Sequence, residues 1–297
     1  MYPRRQLATL GLPGTIWVGL FVATALYALV AIAVGGIDPI LLSPVPTWNP
    51  LHWSFGNLQS VWSALRPFNG PDWVVFERTV IYIAIAMAGC IVIGYPVAYF
   101  VAVRARRTKG LVLALFVAPF LVSYMLRMLA WVGLLSPGGW VDSVLGSLGV
   151  VGSQYNWLSG RSFVVVLALL YGWVPYFILP LYAALARFDL RFLEASKDLG
   201  ANPVQTFFKV TLPLSRQGIY AGMVVVALPM FGDFFTAQLV SGTSSTAMVG
   251  TLINTYAQSQ TDQTLAAASA VWLVAFLALL LAPYLRSSAR ATAEVAG

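Results

Sequence analysis

The sequence predicts an all-α membrane protein with about six transmembrane helices. Three features predict it: a shortage of charge, six long apolar runs, and an uneven distribution of Lys and Arg between those runs. Of 297 residues, 59% are hydrophobic and 9% charged, and the mean hydropathy is +0.81. A soluble domain carries roughly 25% charged residues, so this chain has too few to cover a water-facing surface of its size. The formal net charge of +7 does not point to nucleic acid. The basic residues form short clusters between apolar runs, without the aromatic–basic patch of a nucleic-acid module.

The apolar runs are 12–34, 79–103, 110–135, 162–186, 217–240 and 263–285, read as one transmembrane domain spanning 1–297. The shortest have 23 residues, which at about 1.5 Å per residue gives roughly 34 Å, against a hydrocarbon core of about 30 Å. Four runs hold no charge, and the other two hold one each, Arg127 and Asp233. The runs are continuous rather than alternating, so helices fit and barrel strands do not. Arg4 and Arg5 ahead of the first run, with Ala31-Ile32-Ala33 at its end, imitate a secretion signal. The run exceeds the usual signal core of about 7–15 residues, so a retained first helix is expected.

With the N-terminus inside, thirteen Lys and Arg fall on the inner segments and only Arg66, Arg78 and Arg161 on the outer ones. The positive-inside rule then places both termini in the cytoplasm. The outer segment 35–78 holds Trp48, Trp53, Trp62 and Trp73, residues suited to a membrane–water interface. Short interfacial helices are expected at 57–66 and from Trp140 to Leu145, and a disordered tail after Arg290. Cys90 has no second cysteine to pair with, and His52 lacks companions for a metal site.

The segment 187–216 between the fourth and fifth runs is the most informative part of the chain. Residues 190–199 favour a short amphipathic helix, with Leu193 and Lys197 one turn apart. Gly200 permits the left-handed conformation that closes a helix. Asn202 can cap a second helix with Pro203 at its first position, and Pro213 marks entry to the next run. The expected product is a helical hairpin standing clear of the membrane, suited to docking a partner.

This segment resembles the EAA loop of permease subunits in binding-protein-dependent ABC importers. The resemblance runs through Glu194-Ala195, Asp198-Leu199-Gly200-Ala201, Phe207 and Leu212-Pro213-Leu214, with Ser196 where the family has a second alanine. It implies the type I ABC importer permease fold. It also implies that Glu194, Ala195, Asp198, Gly200 and Ala201 couple to a cytoplasmic ATPase. The chain has no Gly-x-x-x-x-Gly-Lys-Ser/Thr motif of its own. ATP and Mg would be used by that partner, and no cofactor is expected on this chain.

Further stretches are similar to the polyamine permeases for putrescine or spermidine. They are Ile-Gly-Tyr-Pro-Val-Ala-Tyr at 93–99, Ala118-Pro119-Phe120, Leu126-Arg127, Val-Pro-Tyr-Phe-Ile-Leu-Pro-Leu-Tyr at 174–182 and Leu-Pro-Met-Phe-Gly-Asp-Phe at 228–234. The resemblance implies a bacterial inner-membrane importer with a homologous second permease, two ATPase copies and an external binding protein. The residues are compatible with a cationic solute. Pro175 and Pro180 are expected to kink the fourth helix, beside Tyr171, Gly172, Trp173 and Tyr176. Aromatic faces hold alkylammonium ions by cation–π attraction. Asp233 either supplies the opposite charge or pairs with Arg127.

The same architecture could serve an amino acid, an opine-like compound or a phosphonate. A secondary transporter calls for repeats and several intramembrane acids, and a membrane enzyme for a nucleophile–base constellation. Neither pattern is present in the sequence.

Overall fold

The computed structural model describes residues 4–103, 105, 108–149, 155–189 and 191–296. Arg104, Arg106 and Arg107 of the inner basic cluster, and Leu190 at the start of the expected hairpin, lie outside the described residues. The chain opens with helix α1 (Arg4–Ala33), a two-residue antiparallel pair of β1 (Gly36–Ile37) and β2 (Pro44–Val45), and α2 (Gly56–Ala64). Then come α3 (Trp73–Val103), α4 (Lys109–Val117), α5 (Tyr124–Leu135), α6 (Trp140–Ser147) and α7 (Ser162–Leu185). The hairpin helices α8 (Arg191–Asp198) and α9 (Pro203–Thr206) lead through a π-helical turn, Phe207–Thr211, into α10 (Leu212–Phe231). Helices α11 (Phe235–Val240), α12 (Val249–Gln258) and α13 (Gln263–Ala296) complete the order.

Six stretches are long and apolar enough to cross a bilayer: Leu12–Ala33, Trp73–Val103, Tyr124–Ser147, Ser162–Leu185, Pro203–Phe231 and Gln263–Arg286. Two differ from the runs read in the sequence. The run 110–135 breaks between α4 and α5. Pro119 lies in a 3-10 turn, Ala118–Leu121, and Val122 and Ser123 turn extended. The proline lacks the N–H a continuous helix needs. The fifth run ends its long helix at Phe231, and residues 232–234 interrupt the helix before α11. The tail after Arg290 is helical to Ala296. Its Ala-rich sequence carries helix propensity that outweighs its polarity.

Contacts divide the chain into two compact units. One comprises Met1–Val74 and Leu252–Leu280, the other Val75–Thr251 and Leu281–Gly297. In the first, Ala33, Val61, Ala267 and Ala268 form the core. Trp62 stacks on Trp272 at 4.9 Å, and the Trp272 indole donates to the Leu58 carbonyl at 3.0 Å. The Asn57 amide donates to the carbonyls of Ala33 and Gly35, both at 3.0 Å. It thereby satisfies acceptors that the end of α1 leaves without helical partners.

In the second unit α7 packs along α10. Phe177, with no exposed surface, fills the space left by two glycines. A Cβ on Gly94 of α3 would come within 2.7 Å of its ring, and one on Gly222 of α10 within 2.8 Å. Lipid tails are as apolar as side chains, so membrane helices associate through close packing, and small residues permit it. The Tyr95 and Ser215 hydroxyls, 2.8 Å apart, add a polar tie between α3 and α10.

Candidate coupling hairpin and buried polar cluster

The hairpin is built from local signals. Gly200 takes φ +79°, the left-handed turn that ends α8. The Asn202 side chain accepts from the Gln205 amide at 2.8 Å, and the Gln205 side chain accepts from the Asn202 amide at 3.1 Å. This reciprocal box satisfies two amides that the start of α9 leaves free. Leu193 and Ser196 point inward, and the Ser196 hydroxyl lies 2.6 Å from that of Thr206 in a buried contact joining the two helices. Glu194, Ala195, Asp198 and Gly200 are exposed, and Ala201 is half-buried. The face carrying Glu194 and Ala195 is therefore open to another molecule.

A second cluster gathers around the break between α4 and α5. Asp233 is only 6% exposed, yet its carboxylate is fully engaged by the chain. One oxygen accepts from the Thr236 amide at 3.1 Å, which caps the start of α11. The other accepts from the Tyr124 hydroxyl at 2.7 Å and from the Thr236 hydroxyl at 2.6 Å. Gly250 backs this turn so closely that a Cβ there would lie 2.8 Å from the Asp233 carbonyl carbon. Tyr124 reaches Asp233 because Gly172 clears its way, since a Cβ at Gly172 would meet the Tyr124 ring at 2.8 Å.

Arg127, also 6% exposed, stands on the other side of Tyr124, its guanidinium 5.3 Å from the ring centroid. It does not pair with Asp233. Its Nη1 donates to the Gly172 carbonyl at 3.4 Å and its Nη2 to the Tyr176 hydroxyl at 3.5 Å. Trp173 packs between Tyr124, at 5.4 Å, and Tyr176, at 5.2 Å. Tyr171 lies apart, edge-on to Trp131 at 5.3 Å and 44% exposed.

The structure thus brings together Arg127, Trp173, Tyr176 and Asp233. The residue that links them, Tyr124, carries no signal of its own in the sequence beyond following the Pro119 break. Among the described residues no group of His, Cys, Asp or Glu is arranged to hold a metal ion.

Six helical stretches long and apolar enough to cross a bilayer define a multi-pass membrane protein. Residues 79–291 match the family of binding-protein-dependent transport system inner membrane components, and the chain belongs to that family. It is 32% identical over 204 residues to the spermidine/putrescine transport system permease protein PotB of Escherichia coli (strain K12), covering 69% of this chain and 74% of that one. It is 33% identical over 214 residues to the protein of the same name from Haemophilus influenzae, covering 70% and 74%. A bacterial alginate ABC transporter, solved with its alginate pentasaccharide-bound periplasmic protein, shares the fold at a TM-score of 0.67 and 16% identity, over 97% of this chain and 95% of that one.

Proposed function

We propose that this chain is a permease subunit of an ATP-driven bacterial importer for polyamines of the spermidine and putrescine kind. The observation that carries the reading is the 32% identity, over 204 residues, to a spermidine/putrescine permease. The whole chain acts as one transmembrane domain and forms half of the pathway. A homologous second permease forms the other half, an external binding protein delivers the solute, and two copies of a cytoplasmic ATPase supply the energy. Both termini lie in the cytoplasm of a cell whose inner membrane holds the complex.

The hairpin is the point of coupling. Glu194, Ala195, Asp198, Gly200 and Ala201 fit a groove on the ATPase, which uses ATP and Mg. Motion passes from α8 across the Ser196–Thr206 contact to α9, and on through the π-helical turn into α10, because Pro203–Phe231 is one continuous helical path. Asp233 supplies negative charge near the pathway, with Trp173 and Tyr176 as aromatic walls and Arg127 as the opposing charge, while Tyr171 stands outside this group against Trp131. An ionisable residue buried within a membrane-spanning domain is a functional-site hypothesis by default.

Co-expression with the neighbouring subunits and purification in mild detergent tests the assembly. Four polypeptide types should elute together, with the ATPase lost when the hairpin is altered at Glu194→Lys. A self-sufficient homodimer with transport activity would contradict the proposal.

A further inference from the structure

We infer that residues 47–53 form a hook that re-enters the bilayer beside α1 and seats exposed apolar side chains in the lipid leaflet where that helix ends. The path of the chain carries this. The first apolar span runs Leu12–Ala33, and Tyr27 lies about 9 Å before Ala33 along the axis, at about 1.5 Å per residue. After the β1–β2 pair the chain returns to this helix, where the Thr47 amide donates to the Ala31 carbonyl at 2.9 Å. The Tyr27 hydroxyl donates to the Trp48 carbonyl. The Tyr27 ring lies 6.1 Å from that of Trp48 and 6.3 Å from that of Trp53. Helical side chains lean toward the helix N-terminus, so Tyr27 meets Trp48 inside the span rather than at its end. By Asn57, whose side chain reaches the carbonyls of Ala33 and Gly35, the chain is back at the helix end.

Irregular backbone at this depth lacks water to satisfy its polar groups and must find partners within the chain. The carbonyls of the hook do so. That of Thr47 accepts from the Trp53 indole at 3.0 Å, and that of Trp48 from Tyr27. That of Asn49 accepts from the His52 amide at 3.0 Å, and that of Pro50 from the Trp53 amide at 3.4 Å. The Leu51 amide donates to the Asn49 side chain at 3.1 Å, and Pro50 has no amide to satisfy. Leu51, in the 3-10 turn at the bend, is 89% exposed, and Trp48 is 55% exposed. Asn49 and His52 are exposed beside them. An aromatic ring, an apolar tip and a few polar groups suit the boundary between headgroups and acyl chains, which interfacial segments enter to about 5–10 Å.

The hook gives α1 something its own surface does not. Ile16, Trp17 and Phe21 on that helix are exposed, so packing within the chain does little to set its depth. Interfacial aromatic anchors set the tilt and position of such a helix. The hook, tied to Tyr27 and Ala31, fixes α1 at one level in the leaflet. The inference concerns the bilayer alone and does not rest on the polyamine reading.

The test uses the full chain, with the subunits that copurify with it, in phospholipid nanodiscs. Cys90, the only native cysteine, is buried. Leu51→Cys therefore takes a nitroxide label, with the unaltered chain as the background. Leu51 is so exposed that the change leaves packing within the chain intact. Collisions of the label with oxygen, which concentrates in lipid, are compared with those of a water-soluble nickel chelate. The expected result is contact with oxygen several-fold above contact with the chelate. Chelate contact equal to or above that of oxygen would place Leu51 in water and overturn the inference. A label that neither reagent reaches would show that another protein subunit covers the hook, and would overturn it equally.

Discussion

Tyr124 donates its hydroxyl to Asp233 at 2.7 Å, across 109 residues of sequence, and so binds α5 to the turn that begins α11. Hydrogen bonds to charged groups contribute about 1.5–3 kcal/mol. Tyr124→Phe should therefore destabilise the purified complex by about that amount, with Thr236 still holding the carboxylate. Gly172→Ala should act in the same direction by pushing the ring aside. Detergent thermal melts of both variants check this, and an unchanged midpoint in each would deny the contact a structural role.

Gly200 sets the turn of the α8–α9 hairpin at φ +79°, and a Cβ there would meet nothing within 4 Å. The cost of replacing it is thus conformational rather than steric, about 1–2 kcal/mol for an ordinary L residue. Gly200→Val should leave membrane insertion intact, deform the hairpin and separate ATP hydrolysis from transport. Gly200→Asn, which tolerates the left-handed region, should keep most of the coupling. ATPase stimulation by the loaded binding protein is the readout.

Ser196 and Thr206 share a buried hydroxyl contact of 2.6 Å between α8 and α9. Removing one partner leaves the other unsatisfied, at a cost of about 1–3 kcal/mol. Ser196→Ala should loosen the hairpin, and adding Thr206→Val should recover part of the loss. A double-mutant cycle on ATPase affinity measures the coupling between them.

Gly218 on α10 faces Ala184 on α7, where a new Cβ would fall 2.4 Å from the existing one. Gly218→Ala should force the two helices apart and cost about 1–3 kcal/mol as overpacking. Ala184→Gly in the same chain should restore the yield of folded protein, read by size-exclusion chromatography in detergent.

Six spanning segments and the hairpin were legible because their signals are local. Apolar length marks a span, and Gly200, Asn202 and Pro203 each dictate backbone geometry at their own positions. The break at Val122 and Ser123 was hidden because every residue in 110–122 is apolar or small apart from its flanks, so hydropathy could not reveal it, although Pro119 offered a hint. Residues 232–234 looked continuous with the fifth run for the same reason. Asp233 stood out as an intramembrane acid, but its partner did not. Tyr124 and Asp233 meet only once α5, α7 and α10 are packed, and Gly172, whose missing side chain permits the meeting, reads in the sequence as an ordinary small residue.

The most direct test of the account is ATP-dependent uptake of labelled putrescine and spermidine by the complete complex in proteoliposomes. The expected result is uptake that requires the binding protein and internal ATP and is lost in Glu194→Lys despite retained assembly of the two permeases. Putrescine or spermidine uptake driven by an ion gradient without ATP, or ATP-driven uptake indifferent to both polyamines, would contradict it.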